Sequence, residues 1–227
     1  MVSAIIVAAG RGTRMGPNID KLFLEVAGLP VVAHTWRRFA AAPVIDEIVL
    51  VVRSGMEPAF VELAAACAGG KPYRLVAGGA ERQDSVWNGL QALGPEAEIV
   101  AIQDGARPCT SAALITATIA AARQHGAAVA AQPVTDTIKE SADGRVVLRT
   151  LERSRLWAVQ TPQTFRVTVL RQALSAVRDQ GRVVTDDTAA CELIGQPVSL
   201  VPSTAPNPKV TVPADLPYID FLLRAPG

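Results

Sequence analysis

The first residues that could carry out chemistry lie in a glycine-rich loop after an apolar run near the start of the chain. The loop reads Ala8-Ala9-Gly10-Arg11-Gly12-Thr13-Arg14-Met15-Gly16, and Lys21 follows it. A loop of this kind brings backbone N–H groups to a phosphate chain. Cleavage of a triphosphate adds negative charge in the transition state, and fixed cations stabilise that charge. Arg14 and Lys21 are therefore candidate catalytic cations.

The loop does not match two familiar phosphate-binding motifs. A dinucleotide-binding loop needs a glycine at its sixth position, where Met15 stands here. The second predicted strand also ends at Arg53 rather than at an acid that could bind a ribose hydroxyl. A P-loop needs Gly-Lys-Ser/Thr at the position of Met15. The sequence therefore disfavours a nicotinamide oxidoreductase and a P-loop nucleotidase.

A second candidate is Asp104, which directly follows another apolar run. Mg²⁺ prefers oxygen ligands and usually keeps several waters, so one carboxylate can suffice beside triphosphate oxygens. Asp104 is therefore a candidate ligand of Mg²⁺ or another divalent cation. A structural alternative is that it caps a helix or pairs with Arg107.

The composition excludes several other classes of protein. The 227 residues have a net charge of +1, which provides no overall field for holding a long nucleic acid. Aromatic residues make up only 4%, which disfavours platforms for base stacking. No stretch reaches the roughly 18 apolar residues of a membrane-spanning helix. We therefore expect neither a nucleic acid nor a membrane as partner.

The histidines and cysteines are few. Two histidines and three cysteines, none in Cys-x-x-Cys spacing, cannot build a His-rich metal site, a zinc cage or a paired disulfide framework. We expect His34 and His125 to be structural and Cys109 to be a small buried residue. Free thiols suit a reducing compartment, so we expect a cytoplasmic protein.

The elements that must position these residues follow an alternating pattern. Short runs that are apolar almost throughout are typical of strands buried on both faces of a parallel sheet, with helices between them. Predicted strands cover 3–9, 47–52, 73–77, 99–103 and 127–132, and predicted helices cover 31–42, 58–68, 82–93 and 111–125. The pattern predicts a doubly wound α/β fold with a mostly parallel sheet. Ligands of such folds bind at the carboxyl ends of the strands.

The pattern changes after Pro133. Two short predicted strands, 135–139 and 145–151, flank Ala142-Asp143-Gly144, which is a hairpin turn signal. We expect this polar insertion to project as a β-arm at about 134–156 from a single domain of 1–227. The predicted elements after it are a strand at 157–160, a helix at 167–180, a helix at 186–194 capped by Thr185, a strand at 198–201 and a helix at 214–224.

Taken together, eight short motifs carry a resemblance to a known family. They are the first loop with Lys21, Gly78-Gly79-Ala80-Glu81-Arg82-x-Asp84-Ser85, Asp104-Gly105-Ala106-Arg107-Pro108, Asp136-Thr137-Ile138-Lys139, Glu152-Arg153, Gln160-Thr161-Pro162-Gln163, Thr185-Asp186-Asp187 and Lys209-Val210-Thr211. In this order and spacing, over nearly the whole chain, they resemble the Rossmann-like sugar nucleotidyltransferases. More closely, they resemble the 2-C-methyl-D-erythritol 4-phosphate cytidylyltransferases of the non-mevalonate isoprenoid pathway.

The resemblance implies a reaction between CTP and methylerythritol phosphate, with Mg²⁺, and a homodimer that forms through the β-arm. It implies catalytic roles for Arg14, Lys21, Arg153 and Lys209. It implies CTP binding by Ala8, Ala9, Gly10, Gly12, Thr13, Gly78, Gly79, Ala80, Ser85, Asp104 and Ala106, with cytosine recognised by the segment around Gly78. It implies binding of the second substrate by Arg107, Thr137, Arg153, Thr161, Thr185 and Lys209, with Thr137 and Arg153 entering the neighbouring subunit's site.

Two residues depart from the pattern of the family, and the sequence offers no histidine as a general base. Pro208 restricts Asn207 and could shift the loop that carries Lys209, and Gly105 stands where alanine is common in the family. No histidine is placed to act as a general base. The reaction needs none, because a phosphate monoester has a second pKa near 6 and is already largely a dianion at neutral pH.

Two alternatives remain open. The same chemistry could act on another polyol phosphate, such as ribitol 5-phosphate, since only the arm residues would contact the variable part of the substrate. The protein could also be a non-catalytic nucleotide-binding module, which would need the first loop but not the metal ligand and the set of cations.

Overall fold

The computed structural model describes residues 1–10 and 20–225. The candidate residues Gly12, Thr13 and Arg14 lie outside the described residues. Eleven strands are described: β1 Val2–Ala8, β2 Glu25–Val26, β3 Leu29–Pro30, β4 Glu47–Val52, β5 Tyr73–Ala77, β6 Ile99–Asp104, β7 Ala127–Pro133, β8 Lys139–Glu140, β9 Arg149–Thr150, β10 Trp157–Arg166 and β11 Ser199–Pro202. The described helices are α1 Val31–Ala41, α2 Glu57–Cys67, α3 Arg82–Gln91, α4 Ala112–His125, α5 Val167–Asp179, α6 Asp187–Leu193 and α7 Leu216–Arg224.

Among the described residues, seven strands form the central sheet in the order β11-β7-β10-β6-β1-β4-β5. Every pairing within this sheet is parallel except those of β10, which runs antiparallel to both β6 and β7. The prediction of an α/β fold with a mostly parallel sheet is confirmed. β6 and β1 lie side by side, so their carboxyl ends bring Asp104 next to the start of the first loop.

Helices cover both faces of the sheet. Alternate residues of β1 point to opposite sides: Ala4 and Ile6 pack in a cluster with Trp36 of α1, whereas Ile5 packs in a second cluster with Leu90 of α3. This two-residue period is the geometry of a strand. Because both faces are buried, the strand reads as a continuous apolar run, which is why the sequence predicted it correctly.

The insertion after β7 contains an antiparallel hairpin, as predicted, but its paired strands are much shorter than expected. β8 and β9 pair over two residues each. The turn between them is fastened by Asp143, whose Oδ1 accepts hydrogen bonds from the backbone N–H groups of Arg145 and Val146. Val146, Val147 and Leu148 are exposed by 65%, 57% and 62%. Few buried side chains are therefore present to extend the pairing.

Two other predicted boundaries are wrong. The strand expected at 157–160 continues to Arg166, because the pairing with β7 resumes beyond an irregularity between Val159 and Gln163. The helix expected to be capped by Thr185 is capped by Asp186, whose side chain accepts a hydrogen bond from Ala189 N. Aspartate is among the residues most favoured at the N-cap of a helix. Because the helix begins one residue later than predicted, Thr185 lies exposed before it.

Candidate active site

Two adjoining cavities open at the carboxyl ends of the central strands. The first has a volume of about 190 Å³ and lies among the ends of β1, β5 and β6 and the start of α3. The second has a volume of about 270 Å³ and lies beside β10 and the turn before α6. Three residues line both cavities, and these are Arg82, Asp104 and Lys209.

The first cavity contains most of the predicted nucleotide residues that the structure describes. They are Ala9, Gly10, Gly79, Ala80, Ser85, Asp104 and Ala106, and the predicted catalytic residue Lys21 lines the same cavity. Ala8 ends β1 and is buried directly before this group. The second cavity brings together four of the residues predicted for the second substrate, which are Arg107, Thr161, Thr185 and Lys209.

The segment beside the first cavity is closely packed, where Gly79 and Ser85 line the cavity and Gly78, predicted for CTP, lies just outside its lining. Ser85 lies in the first turn of α3, where its Oγ accepts a hydrogen bond from Gly79 N at 3.1 Å and donates one to Glu81 O at 3.2 Å. A Cβ atom on Gly78 would lie 2.3 Å from Ala9 Cβ. One on Gly79 would lie 2.3 Å from Asp84 Cβ. Only glycine therefore lets the backbone run so close to both neighbours.

Gly78→Ala is expected to lower the free energy of unfolding by about 1–3 kcal/mol, because the new methyl group must push the end of β1 away from this segment. Urea denaturation of the purified variant measures the change. Gly94→Ala is the matched control, since its Cβ would meet Glu96 Oε2 at 3.7 Å, which is an ordinary contact. If Gly78→Ala and Gly94→Ala unfold at the same urea concentration, the packing argument is wrong.

Asp104 lies at the centre of a cluster of cations. Its Oδ2 accepts a hydrogen bond from Lys209 Nζ at 2.6 Å and lies 3.9 Å from Arg107 Nε, while its Oδ1 lies 3.4 Å from Arg82 Nε. Burial acts to raise the pKa of Asp104, but the three cations outweigh it and lower the pKa to about 2. The carboxylate is therefore ionised at neutral pH and holds three cations from distant parts of the chain.

The loop that carries Lys209 is anchored by its neighbour. Asn207 is 3% exposed, and its Nδ2 donates to Thr161 O at 2.8 Å while its backbone O accepts from Arg107 Nη1 at 2.6 Å. Pro208 therefore does not displace Lys209, which contacts Asp104 directly. Sequence reasoning missed this anchoring role of Asn207, because no charge or glycine marks the residue.

Lys21 reaches the same loop from the other side of the first cavity. Its Nζ donates a hydrogen bond to Val210 O at 2.7 Å, and Val210 N in turn donates to Ala106 O at 2.9 Å. Three segments that are remote in sequence are thus joined around the cavity. Thr161 contributes a fourth, because its Oγ1 accepts a hydrogen bond from Asp104 N at 3.1 Å.

Arg82 is a further residue that the sequence did not single out, although it stands in one of the quoted motifs. Its Nη1 donates to Asp187 Oδ2 at 2.8 Å, and the Asp187 side chain is completely buried. Burial raises the pKa of Asp187, although the charge and hydrogen bond of Arg82 oppose that shift. The signal available in the sequence was the position of Arg82 just beyond β5, where ligands of this fold class bind.

The structure does not bring Thr137 and Arg153 to either cavity within one chain. Thr137 is exposed in the insertion, and Arg153 begins a 3₁₀ helix, Arg153–Arg155, with its Nη1 donating to Thr135 O at 2.7 Å. Neither residue lines a cavity described above. Their predicted role requires a second subunit.

The ionisable groups that were expected to be structural are buried or bonded locally. His34 contacts Val26 O at 2.7 Å through Nε2, and burial lowers its pKa. Cys67, Cys109 and Cys191 are free and buried. Burial raises the pKa of Cys109 to about 11, so its thiol is protonated at neutral pH and is a poor nucleophile. In the described part of the chain, no helix is long and apolar enough to cross a membrane.

Comparisons with known proteins agree with this geometry. The sequence model of the 2-C-methyl-D-erythritol 4-phosphate cytidylyltransferases matches residues 2–225. An enzyme of that name from Pelotomaculum thermopropionicum is 44% identical over 225 residues, which cover 99% of this chain and 94% of the relative. The relative from Geobacillus kaustophilus is 44% identical over 222 residues, covering 98% of this chain and 96% of the relative.

Solved structures give the same result. The 4-diphosphocytidyl-2C-methyl-D-erythritol synthase of Anaerococcus prevotii has a TM-score of 0.87 at 31% identity, over 99% of this chain and 98% of that one. The cytidylyltransferase of Thermus thermophilus has a TM-score of 0.80 at 31% identity, over 99% of this chain and 100% of that one. With this sequence match and this arrangement of residues at the sheet edge, the chain belongs to the 2-C-methyl-D-erythritol 4-phosphate cytidylyltransferase family.

Proposed function

We propose that the protein transfers the cytidylyl group of CTP to 2-C-methyl-D-erythritol 4-phosphate. A phosphate oxygen of the second substrate attacks the α-phosphorus of CTP, and the bond between that phosphorus and the oxygen bridging to the β-phosphate breaks. Pyrophosphate leaves with the bonding electron pair, and the other product is 4-diphosphocytidyl-2-C-methyl-D-erythritol. The observation that carries the proposal is the pair of cavities whose shared wall holds Arg82, Asp104 and Lys209.

CTP is proposed to occupy the first cavity. The backbone at Gly78 and Gly79 would lie against the flat base, and hydrogen-bonding groups near Ser85 would serve its edge. The triphosphate would then lie toward Gly10 and Lys21, with Arg14 beside it as the sequence predicts. These cations would stabilise the charge that develops on the α-phosphate and on the departing pyrophosphate.

The phosphate of the second substrate is proposed to enter through the second cavity. Arg107 and Lys209 supply positive charge there, while Thr161 and Thr185 supply hydroxyl groups. A guanidinium group can hold a phosphate by two parallel hydrogen bonds. Because this phosphate is already largely a dianion at neutral pH, positioning alone prepares it for attack, and no general base is required.

Mg²⁺ is proposed as the cofactor. Asp104 stays ionised, and it lines both cavities, so it could serve as one ligand beside triphosphate oxygens and water. Among the described residues no group of three His, Cys, Asp or Glu side chains could hold a metal by itself. This donor set therefore fits a cation that arrives with the nucleotide. When bound, Mg²⁺ would neutralise phosphate charge.

The arm is proposed to form a homodimer and to complete the site of the neighbouring subunit. Three adjacent apolar residues of the arm, Val146, Val147 and Leu148, are exposed in the single chain. Neither Thr137 nor Arg153 lines one of the two cavities of its own chain. Contact with a second copy would cover the apolar residues and give both polar ones a substrate to bind.

Mixed dimers test this arrangement. Lys21→Ala and Arg153→Ala are each expected to abolish most activity as homodimers. In a mixed dimer, one site combines an intact Lys21 with an intact Arg153, and the other site lacks both. Random exchange of subunits is therefore expected to restore about one quarter of the wild-type activity, because half of the dimers carry one intact site out of two.

Pyrophosphate release after denaturation and joint refolding of the two variants measures the recovery. Each variant refolded alone is the control. If the mixture is no more active than the two variants alone, Arg153 does not act across a dimer interface.

The protein is proposed to work in the cytoplasm, since all three cysteines are free and a reducing compartment keeps them so. A nucleic acid is not proposed as a partner, because the net charge is only +1, and a membrane is not, because no stretch of the sequence reaches the roughly 18 apolar residues of a membrane-spanning helix.

The proposed reaction is tested by incubating the protein with CTP, Mg²⁺ and methylerythritol phosphate and measuring pyrophosphate. We expect release that depends on both substrates. Activity with ribitol 5-phosphate but not with methylerythritol phosphate would favour the other polyol phosphate. Binding of CTP without pyrophosphate release from either compound would indicate a non-catalytic nucleotide-binding module.

A further inference from the structure

Asp187 is completely buried and makes an ion-pair contact with Arg82 that the proposed reaction does not use. It begins α6, where its backbone N donates a hydrogen bond to Gln163 Oε1 at 3.0 Å. Its Oδ2 accepts from Arg82 Nη1 at 2.8 Å, whereas within the described residues its Oδ1 has no hydrogen-bond partner. A buried carboxylate is costly unless it is paired. The contact with Arg82 is therefore the interaction that defines its role.

Arg82 lies between two carboxylates at unequal distances. Its Nη1 is 2.8 Å from Asp187, and its Nε is 3.4 Å from Asp104. Asp104 makes its shorter contact with Lys209, at 2.6 Å. Without the charge of Asp187, Arg82 would have Asp104 as its one carboxylate partner among the described residues and would compete with Lys209 for it. Asp187 thus makes the shorter of the two carboxylate contacts of Arg82 and limits its competition with Lys209 for Asp104.

We infer that Asp187 is a positioning residue, which holds Arg82 at the wall shared by the two cavities so that Arg82 can contact a phosphate group of a bound substrate. This inference rests on the proposed function, because it assigns a phosphate ligand to that wall. Arg82 lines both cavities, and the planar guanidinium group presents several donors at once. The three residues that line both cavities, Arg82, Asp104 and Lys209, carry a net charge of +1, which favours phosphate.

An uncharged side chain beside this ion pair, that of Gln83, provides a matched control. The side chain of Gln83, the next residue of α3, donates to Arg182 O at 2.9 Å and accepts from Val184 N at 2.9 Å. It therefore ties the same two segments together as the pair of Arg82 and Asp187, but without charge. Gln83 does not line either cavity.

The test compares Asp187→Asn, Arg82→Gln, the double variant and Gln83→Ala in the pyrophosphate assay. Asp187→Asn keeps the shape of the side chain and removes its charge, so kcat is expected to fall about tenfold or more, since displacing a positioned group by ~1 Å can cost that much. The KM for CTP is expected to stay within about threefold, because the backbone at Gly79 is unchanged. Gln83→Ala is expected to stay within about twofold of the wild type.

The double variant separates positioning from a merely structural role. If Asp187 acts through Arg82, Asp187→Asn lowers kcat by less than about twofold further once Arg82→Gln is present. The inference is overturned if the double variant loses kcat by the product of the two single losses. It is also overturned if Gln83→Ala loses as much kcat as Asp187→Asn, or if Asp187→Asn keeps the wild-type kcat. Thermal unfolding of every variant verifies that the fold is kept, and if Asp187→Asn does not fold, Arg82→Gln on the less buried partner decides by the same loss of kcat.

The affinity for pyrophosphate, measured by calorimetry, is a second quantity that does not depend on turnover. Asp187→Asn and Arg82→Gln are expected to weaken this binding by a similar factor, about fivefold, because each removes the same held cation from a phosphate. Gln83→Ala is expected to leave it unchanged. If the wild type shows no transferase activity, the proposed function fails, yet this binding comparison still supports or contradicts the role of Asp187. Unchanged pyrophosphate affinity in both charge variants would overturn it.

Discussion

Lys21→Ala is expected to lower kcat about a hundredfold or more while the fold survives. Lys21 lines the nucleotide cavity, and its Nζ donates to Val210 O in the loop that carries Lys209. Removing one group that stabilises transition-state charge typically costs ~3–4 kcal/mol in the barrier. The same loss is expected for Arg14→Ala from the sequence of the first loop. Steady-state pyrophosphate release with saturating substrates measures kcat.

Lys71→Ala is the control for Lys21→Ala. Lys71 also donates to backbone carbonyl groups, those of Ala42 and Ile45, but it does not line either cavity. We expect this variant to lose about 1 kcal/mol in the free energy of unfolding and to keep wild-type kcat. Wild-type turnover in Lys21→Ala would remove its assignment as a catalytic cation. An equal fall of kcat in Lys71→Ala would show that losing a hydrogen bond from a lysine to a backbone carbonyl is enough to lower turnover, even away from the cavities.

Asp104→Asn is expected to have a still larger effect and to lower kcat/KM by about a thousandfold. The amide keeps the shape of the side chain but no longer neutralises Arg82, Arg107 and Lys209, which converge on this one carboxylate. Breaking a buried ionic cluster by removing one charge leaves the remaining charges uncompensated, which costs about 3–5 kcal/mol. The cations are then expected to separate, and Lys209 leaves the position from which it would hold the attacking phosphate.

Initial rates at varied CTP and methylerythritol phosphate measure this loss, and urea denaturation separates it from unfolding. Asp46→Asn is the control, because Asp46 Oδ2 accepts a hydrogen bond from Val2 N at 2.7 Å, at the opposite end of β1 from the site. That variant also removes one carboxylate bonded to the sheet, but we expect its kcat/KM to stay within about twofold of the wild type. A similar fall in both variants, or none in Asp104→Asn, would contradict the central role of Asp104.

The elements that the sequence predicted best are those whose burial is complete on both faces. β4 is buried at every residue, so its run of apolar side chains has no competing interpretation as a surface helix. The elements predicted worst depend on neighbours. β10 continues past Pro162 because β7 and β6 supply partners beyond the irregularity, and no local pattern in the sequence indicates those partners.

The site was predicted only in part, because its long-range contacts, like those of β10, leave no local pattern in the sequence. Asp104 and Lys209 could be proposed as site residues, because each follows a strand or lies in a recognisable motif. Their ion pair could not be derived from spacing, because 105 residues separate them. The pair of Arg82 and Asp187, also separated by 105 residues, was missed altogether. The second residue of a long-range ion pair carries no local signal of its own.

The sequence alone determined which chemical groups are available and that they must lie at the carboxyl-end edge of the sheet. Buried strands dictate a doubly wound sheet, and chain direction places the residue after each parallel strand at the same edge. Only the tertiary structure decided which of these groups share a charge, because Coulomb energies depend on distances of a few ångströms and on burial. A net charge of +1 over 227 residues thus conceals a buried carboxylate, Asp104, that holds three cations beside two cavities.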